Sequence, residues 1–342
     1  MLYRIDLTRM LWGAQNSLPL GKKSHSLPTE LLIFLLITMI ASAPQSILIS
    51  LVAVALMLTD PKYYELLYSE NVSSEAITEY ALEFTENLPG WIYAVSLAGC
   101  GFMIVAVAIY CSKFEKRKAF TFGFSKRGIF TEYLMGIVIG AVMISLPTIT
   151  CYMTKCVTFS YGTTTPLIIG IYFIAFLIQG MAEEAMFRGY LLTTLARKNN
   201  VWVAITVSSL MFALFHVGNA NFNIIAFINI ALFGFFAAIF TLRRGSIWAI
   251  GAIHAIWNFA QGNVFGFSVS GNSMSDSLLI ANQNNFGAIL SGGKFGLEGG
   301  LGVTIVLLIA ILAVLISPTK KSELFVEEDD ENNDNANEEI AF

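Results

Sequence analysis

Long apolar runs alternate along this chain with short polar stretches, a pattern typical of a protein that crosses a membrane several times. A helix needs about 20 mostly apolar residues to cross the ~30 Å hydrocarbon core of a bilayer. Eight runs approach that length, so the pattern predicts an all-α, polytopic bundle of eight transmembrane helices. The predicted helices cover about 31–58, 90–111, 131–153, 165–187, 200–217, 222–242, 245–264 and 299–317.

The composition agrees with a membrane protein. Hydrophobic residues make up 56% of the chain and charged residues 13%, and the mean hydropathy is +0.67. Soluble domains carry about 25% charged residues. The basic residues are scattered over short loops rather than gathered in a basic domain, which argues against nucleic acid as a partner. We therefore expect the lipid bilayer as the environment, and the oligomeric state stays open.

Basic residues indicate the orientation, because segments rich in Lys and Arg remain on the cytoplasmic side. They occur in the N-terminal segment and after every second predicted helix, whereas the loop after the first helix is acidic. This alternation predicts a multi-pass protein of the cell membrane with both termini in the cytoplasm. The basic clusters lie at Arg4 to Lys23, Lys113 to Arg127, Arg197-Lys198, Arg243-Arg244 and Lys320-Lys321.

Ionisable side chains interrupt three of the predicted helices. Glu183 and Glu184 are adjacent in the fourth, His216 ends the fifth, and the seventh contains His254 and Asn258. Ionisable groups at membrane depth are costly, and a chain usually keeps them for a function. These positions predict a polar cavity buried between the helices.

Helical spacing assigns different surroundings to the two glutamates. Glu184 and Arg188 are four residues apart, which suits an ion pair within the helix. Glu183 points about 100° away, on the face that carries Gln179, and is expected to face the cavity. A carboxylate in an apolar pocket is suited to act as a general base. The alternative is a buried ion-pair cluster that only fixes helix packing.

The remaining polar residues fit hydrolysis of a peptide bond. His254 and Asn258 lie one turn apart and both can donate hydrogen bonds, as an oxyanion hole requires. A base, a histidine to assist it and such a donor pair are the parts of a hydrolytic site. The sequence contains neither Gly-x-Ser-x-Gly nor His-Glu-x-x-His. Two alternatives stay open, namely a non-catalytic immunity or scaffold protein and a proton-coupled transporter with Glu183 as the proton carrier.

Three motifs occur in order on three helices: Glu-Glu-x-x-x-Arg, Phe-x-x-x-His and His-x-x-x-Asn. This order resembles the CPBP family, the type II CAAX prenyl endopeptidase-like intramembrane proteases, also called the Abi family. The resemblance implies an intramembrane endopeptidase whose fold is a helical bundle with a conical cavity. It also implies a membrane-associated peptide or protein as substrate, which is cleaved in CAAX-type processing or in the processing of a peptide precursor. It also implies a role for each motif residue: Glu183 activates water, His216 is its partner, His254 and Asn258 stabilise the oxyanion, and Glu184 and Arg188 support the site.

A metal is the open question about this predicted site. Glu183, His216 and His254 could ligate zinc and leave a fourth position open. Arg188 and Asn258 instead fit catalysis by a glutamate and water alone, so we favour no cofactor and keep zinc as the alternative.

The same patterns divide the chain into six segments, of which the Gly-rich one has no motif-based role and is expected to form a mobile loop over the bundle. The segments are a cytoplasmic N-terminal segment (1–30), two spans with an acidic outer and a basic inner loop (31–130), the protease-like core (131–265), the Gly-rich outer loop (266–298), the last span (299–318) and an acidic, disordered cytoplasmic tail (319–342).

Overall fold

The structure, a computed structural model, is mostly helical. It describes residues 25–69, 73–86, 89–126, 128–197, 199–284 and 287–317. The predicted acidic tail and nearly all of the predicted N-terminal segment lie outside the described residues. In chain order the helices are α1 (Leu27–Met57), α2 (Pro61–Leu67), α3 (Ser74–Glu86), α4 (Gly90–Phe114), α5 (Ile129–Met153), α6 (Pro166–Leu195), α7 (Val201–Leu214), α8 (Ile224–Arg244), α9 (Trp248–Phe259), α10 (Ala288–Ser291) and α11 (Leu301–Ile316).

Each of the eight predicted spans contains a helix, but their lengths differ. Among the described residues, five helices are long and apolar enough to cross a membrane, namely α1, α4, α5, α6 and α8. Helices α7 and α11 have only 14 and 16 residues, and α9 has 12. At ~1.5 Å per residue, 14 residues cover only about 21 Å. The chain is thus a multi-pass membrane protein, and the count of eight spanning helices remains a prediction.

Glycines let α9 approach its neighbours at backbone distance. It packs mainly against α5 and α6. A Cβ atom at Gly140 of α5 would lie 2.7 Å from the carbonyl oxygen of Ile253, and one at Gly180 of α6 would lie 2.6 Å from the backbone nitrogen of Ala255. Small residues of this kind allow close helix packing inside membranes. These contacts fix the position of α9, which carries two of the predicted site residues.

The described part of the Gly-rich segment, for which a mobile loop was expected, contains regular structure and is folded onto the bundle. Its strand β2 (Leu279–Gln283) pairs antiparallel with β1 (Val157–Tyr161), which also corrects the all-α prediction in a minor way. We call residues 265–300 the cap. At Gly296 the φ angle is +104°, and a Cβ atom there would collide with the carbonyl oxygen of Ser268. Only glycine suits such a position.

A side chain of the long eighth helix holds the end of the cap. Asn229 on α8 donates through Nδ2 to the carbonyl oxygens of Glu298 and Gly300, at 2.8 and 2.9 Å. Its Oδ1 accepts a hydrogen bond from Thr304 of α11 at 2.6 Å. All the hydrogen-bonding groups of this buried amide side chain thus have partners, which stabilises the fold. The cap is therefore anchored to the same helices that surround the predicted cavity.

Candidate active site

Helix α6 supplies four polar side chains of the site in two pairs. Gln179 donates from Nε2 to Glu183 Oε1 at 2.6 Å, and Arg188 donates from one terminal nitrogen to Glu184 Oε1 at 3.1 Å. Both pairs have the four-residue spacing that brings side chains together on one face of a helix. The helix becomes a π-helix at Ala185–Leu192, directly after Glu184. Such segments are frequent at functional sites.

Glu184 is the fully buried centre of a charged group. Besides the bond from Arg188, its Oε1 accepts a hydrogen bond from His254 Nδ1 at 2.9 Å. The Arg188 side chain is also completely buried, and its guanidinium carbon lies 4.4 Å from the centre of the Phe212 ring. An arginine over an aromatic face is stabilised by the electrons of the ring. Glu184 thus holds the His254 ring so that its Nε2 is free for other contacts.

That free nitrogen faces the second glutamate. His254 Nε2 lies 3.8 Å from Glu183 Oε2. This Oε2 is buried and has no hydrogen-bond partner among the residues that the structure describes, while the Glu183 side chain as a whole is 20% exposed. A buried carboxylate oxygen without a partner needs a hydrogen-bond donor. A water molecule can supply that donor, so the atom is suited to bind and deprotonate water.

Gln179 connects the glutamate to the predicted oxyanion hole. Its Oε1 accepts a hydrogen bond from Asn258 Nδ2 at 3.1 Å, while its Nε2 is bonded to Glu183. Gln179 is absent from the predicted set of site residues. The signal that could have found it is its position four residues before Glu183, as a rare polar residue in an apolar helix. It orients both the carboxylate and the amide.

His216 lines the cavity of the site and is held by a backbone carbonyl group. Its Nδ1 donates to the carbonyl oxygen of Phe212 at 2.8 Å, and the two rings are 4.9 Å apart. This bond leaves Nε2 as the acceptor in the neutral ring. The described contacts include no hydrogen bond between His216 and Glu183, and the predicted partnership of the two remains a prediction.

The two histidines and Asn258 line one cavity of about 30 Å³. A water molecule needs about 10–15 Å³ of such space, so this cavity has room for a water molecule or for one polar group of a ligand. Phe212, Phe233 and residues of α8 and α11 form its apolar wall. Asn229 of α8 and two cap residues, Ser270 and Glu298, add polar groups. The cavity therefore lies between the predicted site and the cap.

The metal alternative remains a prediction. Within the described ranges, no group of three or more His, Cys, Asp and Glu side chains is arranged to hold a metal ion. The set considered from the sequence was Glu183, His216 and His254. One carboxylate oxygen of Glu183 is taken by Gln179, and the Nδ1 atoms of the histidines are taken by Glu184 and by a backbone carbonyl. These bonds leave Glu183 Oε2 and the Nε2 atoms of both histidines for other contacts, so zinc stays the alternative prediction, and the mechanism proposed for the site uses no metal.

The comparison with known families agrees with the motifs. Residues 165–260 match the family model described as type II CAAX prenyl endopeptidase Rce1-like. The matched segment is less than a third of the 342 residues, but it contains every residue of the predicted site. The resemblance inferred from the three motifs is thereby confirmed for this segment. No curated protein matches the chain significantly.

Proposed function

We propose that this protein, whose residues 165–260 match a family of CAAX prenyl endopeptidases, hydrolyses a peptide bond in a membrane-associated peptide or protein. The observation that carries the proposal is the unpartnered Oε2 of Glu183, which lies 3.8 Å from His254 Nε2 in a helix otherwise almost free of charge. Oriented groups of this kind, close to a cavity, are the parts of a hydrolytic site.

Glu183 is the general base in this proposal. Its Oε2 accepts a proton from a water molecule while the water oxygen attacks the carbonyl carbon of the scissile peptide bond. The electron pair of the C=O bond moves to the carbonyl oxygen and gives a tetrahedral oxyanion. The C–N bond then breaks, the protonated Glu183 returns its proton to the leaving nitrogen, and the products are a carboxylic acid and an amine.

Asn258 and His254 stabilise the oxyanion. Asn258 has a second amide hydrogen besides the one donated to Gln179, and His254 Nε2 can donate when the ring carries both protons. In that form of the ring, Nδ1 keeps its bond to Glu184 while Nε2 is available to the oxyanion. His216, with its Nε2 as an acceptor, assists in orienting the water.

Peptide cleavage by the purified protein in lipid nanodiscs tests the proposal. The probes are a fluorogenic prenylated peptide with a CAAX C-terminus and an unprenylated hydrophobic peptide of the same length. Glu183→Gln should lower kcat on the order of 10²–10⁴-fold, because it removes the base. Glu132→Gln is the matched control, since Glu132 pairs with Arg244 at the start of α5 and outside the site.

Two results would contradict the proposal. Equal cleavage by wild type and Glu183→Gln would remove Glu183 from the mechanism. Absence of cleavage of either peptide by wild type, with normal insertion, would favour the non-catalytic or transport functions, and a Glu183-dependent proton flux in liposomes would then identify the transporter.

A further inference from the structure

The cap places a buried carboxyl group in the cavity, and the mechanism above does not use it. Glu298 lies in the short helical turn Leu297–Gly299, before α11 and outside the membrane-spanning helices. It is 7% exposed and lines the same cavity as His216, His254 and Asn258. Of the described residues that line this cavity, Glu298 is the one with a carboxyl group.

Neutral groups hold this carboxyl in place. Gln261, which follows α9, donates from Nε2 to Glu298 Oε2, and the Ser270 hydroxyl lies 3.3 Å from Oε1. The backbone oxygen of Glu298 accepts the bond from Asn229 described above. No Lys or Arg among the described residues forms an ion pair with Glu298. The side chain is thus fixed in space but has no compensating positive charge.

Burial favours the neutral acid form of the Glu298 carboxyl group over the ionised form. Burial raises the pKa of Glu298, and the bonds from Gln261 and Ser270 oppose this only in part. Titratable groups around it are the two cavity histidines and, at longer range, Tyr93 of α4. A neutral carboxylic acid has an O–H that can donate one hydrogen bond, which an ionised carboxylate cannot do.

We propose that Glu298 is a substrate-binding residue, whose carboxylic acid donates a hydrogen bond to a backbone carbonyl oxygen of a peptide that reaches into the cavity. Asn258 and His254 bind the scissile carbonyl group, and Glu298, which lines the same cavity, binds a neighbouring one. The identity of the ligand as a peptide rests on the proposed function. The inference also gives the Gly-rich cap a role, which is to complete the substrate site.

Equilibrium binding tests the inference without turnover. All variants are made in the Glu183→Gln background, in nanodiscs, and the probe is a fluorescent prenylated CAAX peptide followed by anisotropy. Glu298→Ala should raise Kd about five- to tenfold, the effect of one lost hydrogen bond. Glu298→Gln keeps a donor of similar shape and should raise Kd only about two- to threefold.

The pH dependence separates an acid from an ionised carboxylate. With Glu298 present, Kd should rise as the pH is increased and the acid ionises. In Glu298→Gln this part of the rise should be lost, so that only the pH dependence of the two histidines remains. Asp276→Asn is the matched control, because Asp276 is a cap acid whose carboxylate contacts Ser275 rather than the cavity. The Kd of the Asp276→Asn variant should equal that of the protein with Glu183→Gln alone. Thermal unfolding of each variant checks that the cap remains folded.

The outcomes distinguish this inference from the proposed function. If the Kd pattern holds but wild type cleaves nothing, the protease function is rejected and the role of Glu298 in binding stands. If wild type cleaves the peptide but Glu298→Ala binds it with an unchanged Kd, the inference is overturned. It is also overturned if Glu298→Gln binds the peptide as poorly as Glu298→Ala does. A peptide that is neither bound nor cleaved rejects both proposals.

Discussion

Loss of the Glu184 carboxylate should destabilise the protein more than loss of its whole ion pair. Glu184 and Arg188 have completely buried side chains and are bonded at 3.1 Å. Two other guanidinium nitrogens of Arg188, Nε and one terminal nitrogen, have no hydrogen-bond partner among the described residues. Glu184→Leu therefore leaves a buried cation with no remaining bond to a carboxylate. Breaking such a pair from one side costs about 3–5 kcal/mol.

Replacing both members should cost less. In Glu184→Leu/Arg188→Met no buried charge is left alone, and apolar side chains of similar volume are often neutral substitutes for a buried pair. The double variant should thus be more stable than Glu184→Leu by about 2 kcal/mol or more. Both variants lose the anchor of His254 Nδ1 and should lose cleavage activity alike.

A double-mutant cycle measures this coupling. The free energy of unfolding of wild type, both single variants and the double variant is obtained by titration with SDS in mixed micelles, and cleavage is measured in parallel. Additive effects, with a coupling free energy under about 0.5 kcal/mol, would refute the reasoning, because residues in direct contact should not be additive. A double variant with wild-type activity would likewise show that Glu184 is not needed to orient His254.

Two further predictions concern the packing that holds the site. Gly180→Ala should destabilise the protein by about 1–3 kcal/mol and lower kcat, because its Cβ would force α9 away from α6. Gly170→Ala on the same helix has open space around it and should leave both unfolding and cleavage unchanged. Equal behaviour of the two variants would contradict the packing argument. Arg117→Met should lower the unfolding temperature, because Arg117 is buried and donates hydrogen bonds to Thr193 at 2.5 Å and Thr194 at 3.2 Å, at the end of α6. An unchanged unfolding temperature would show that these two hydrogen bonds are dispensable.

Helical periodicity was sufficient for the contacts within one helix. The four-residue spacing predicted the Glu184–Arg188 pair, which the structure contains, and placed Glu183 on the face of Gln179, to which it is bonded. It could not predict the contacts between helices. Those depend on how each helix is rotated against its neighbours, and this is why the sequence did not predict that His254 contacts Glu184 through Nδ1 and lies 3.8 Å from Glu183 through Nε2.

The cap could not be predicted for a different reason. Its strand pairs with β1 across more than a hundred residues, each strand has only five residues, and no residue of β2 is fully buried. Glycines in such a stretch resemble those of a flexible loop. In the structure several of them instead occupy left-handed backbone positions or close contacts, as Gly271 does at φ +89° beside Ala220. Composition cannot separate these two uses of glycine.

Rigid packing also bears on the choice between hydrolysis and transport. A transporter moves helices past each other so that its binding site opens to each side in turn. Here α9 contacts α5 and α6 at backbone distance through Gly140 and Gly180, and the Glu184–His254 bond crosses the same interface. Sliding of α9 would break that bond and leave the charges of Glu184 and Arg188 without His254. Fixed donors around a small cavity are instead what stabilisation of an oxyanion needs, because preorganised groups require no rearrangement during the reaction.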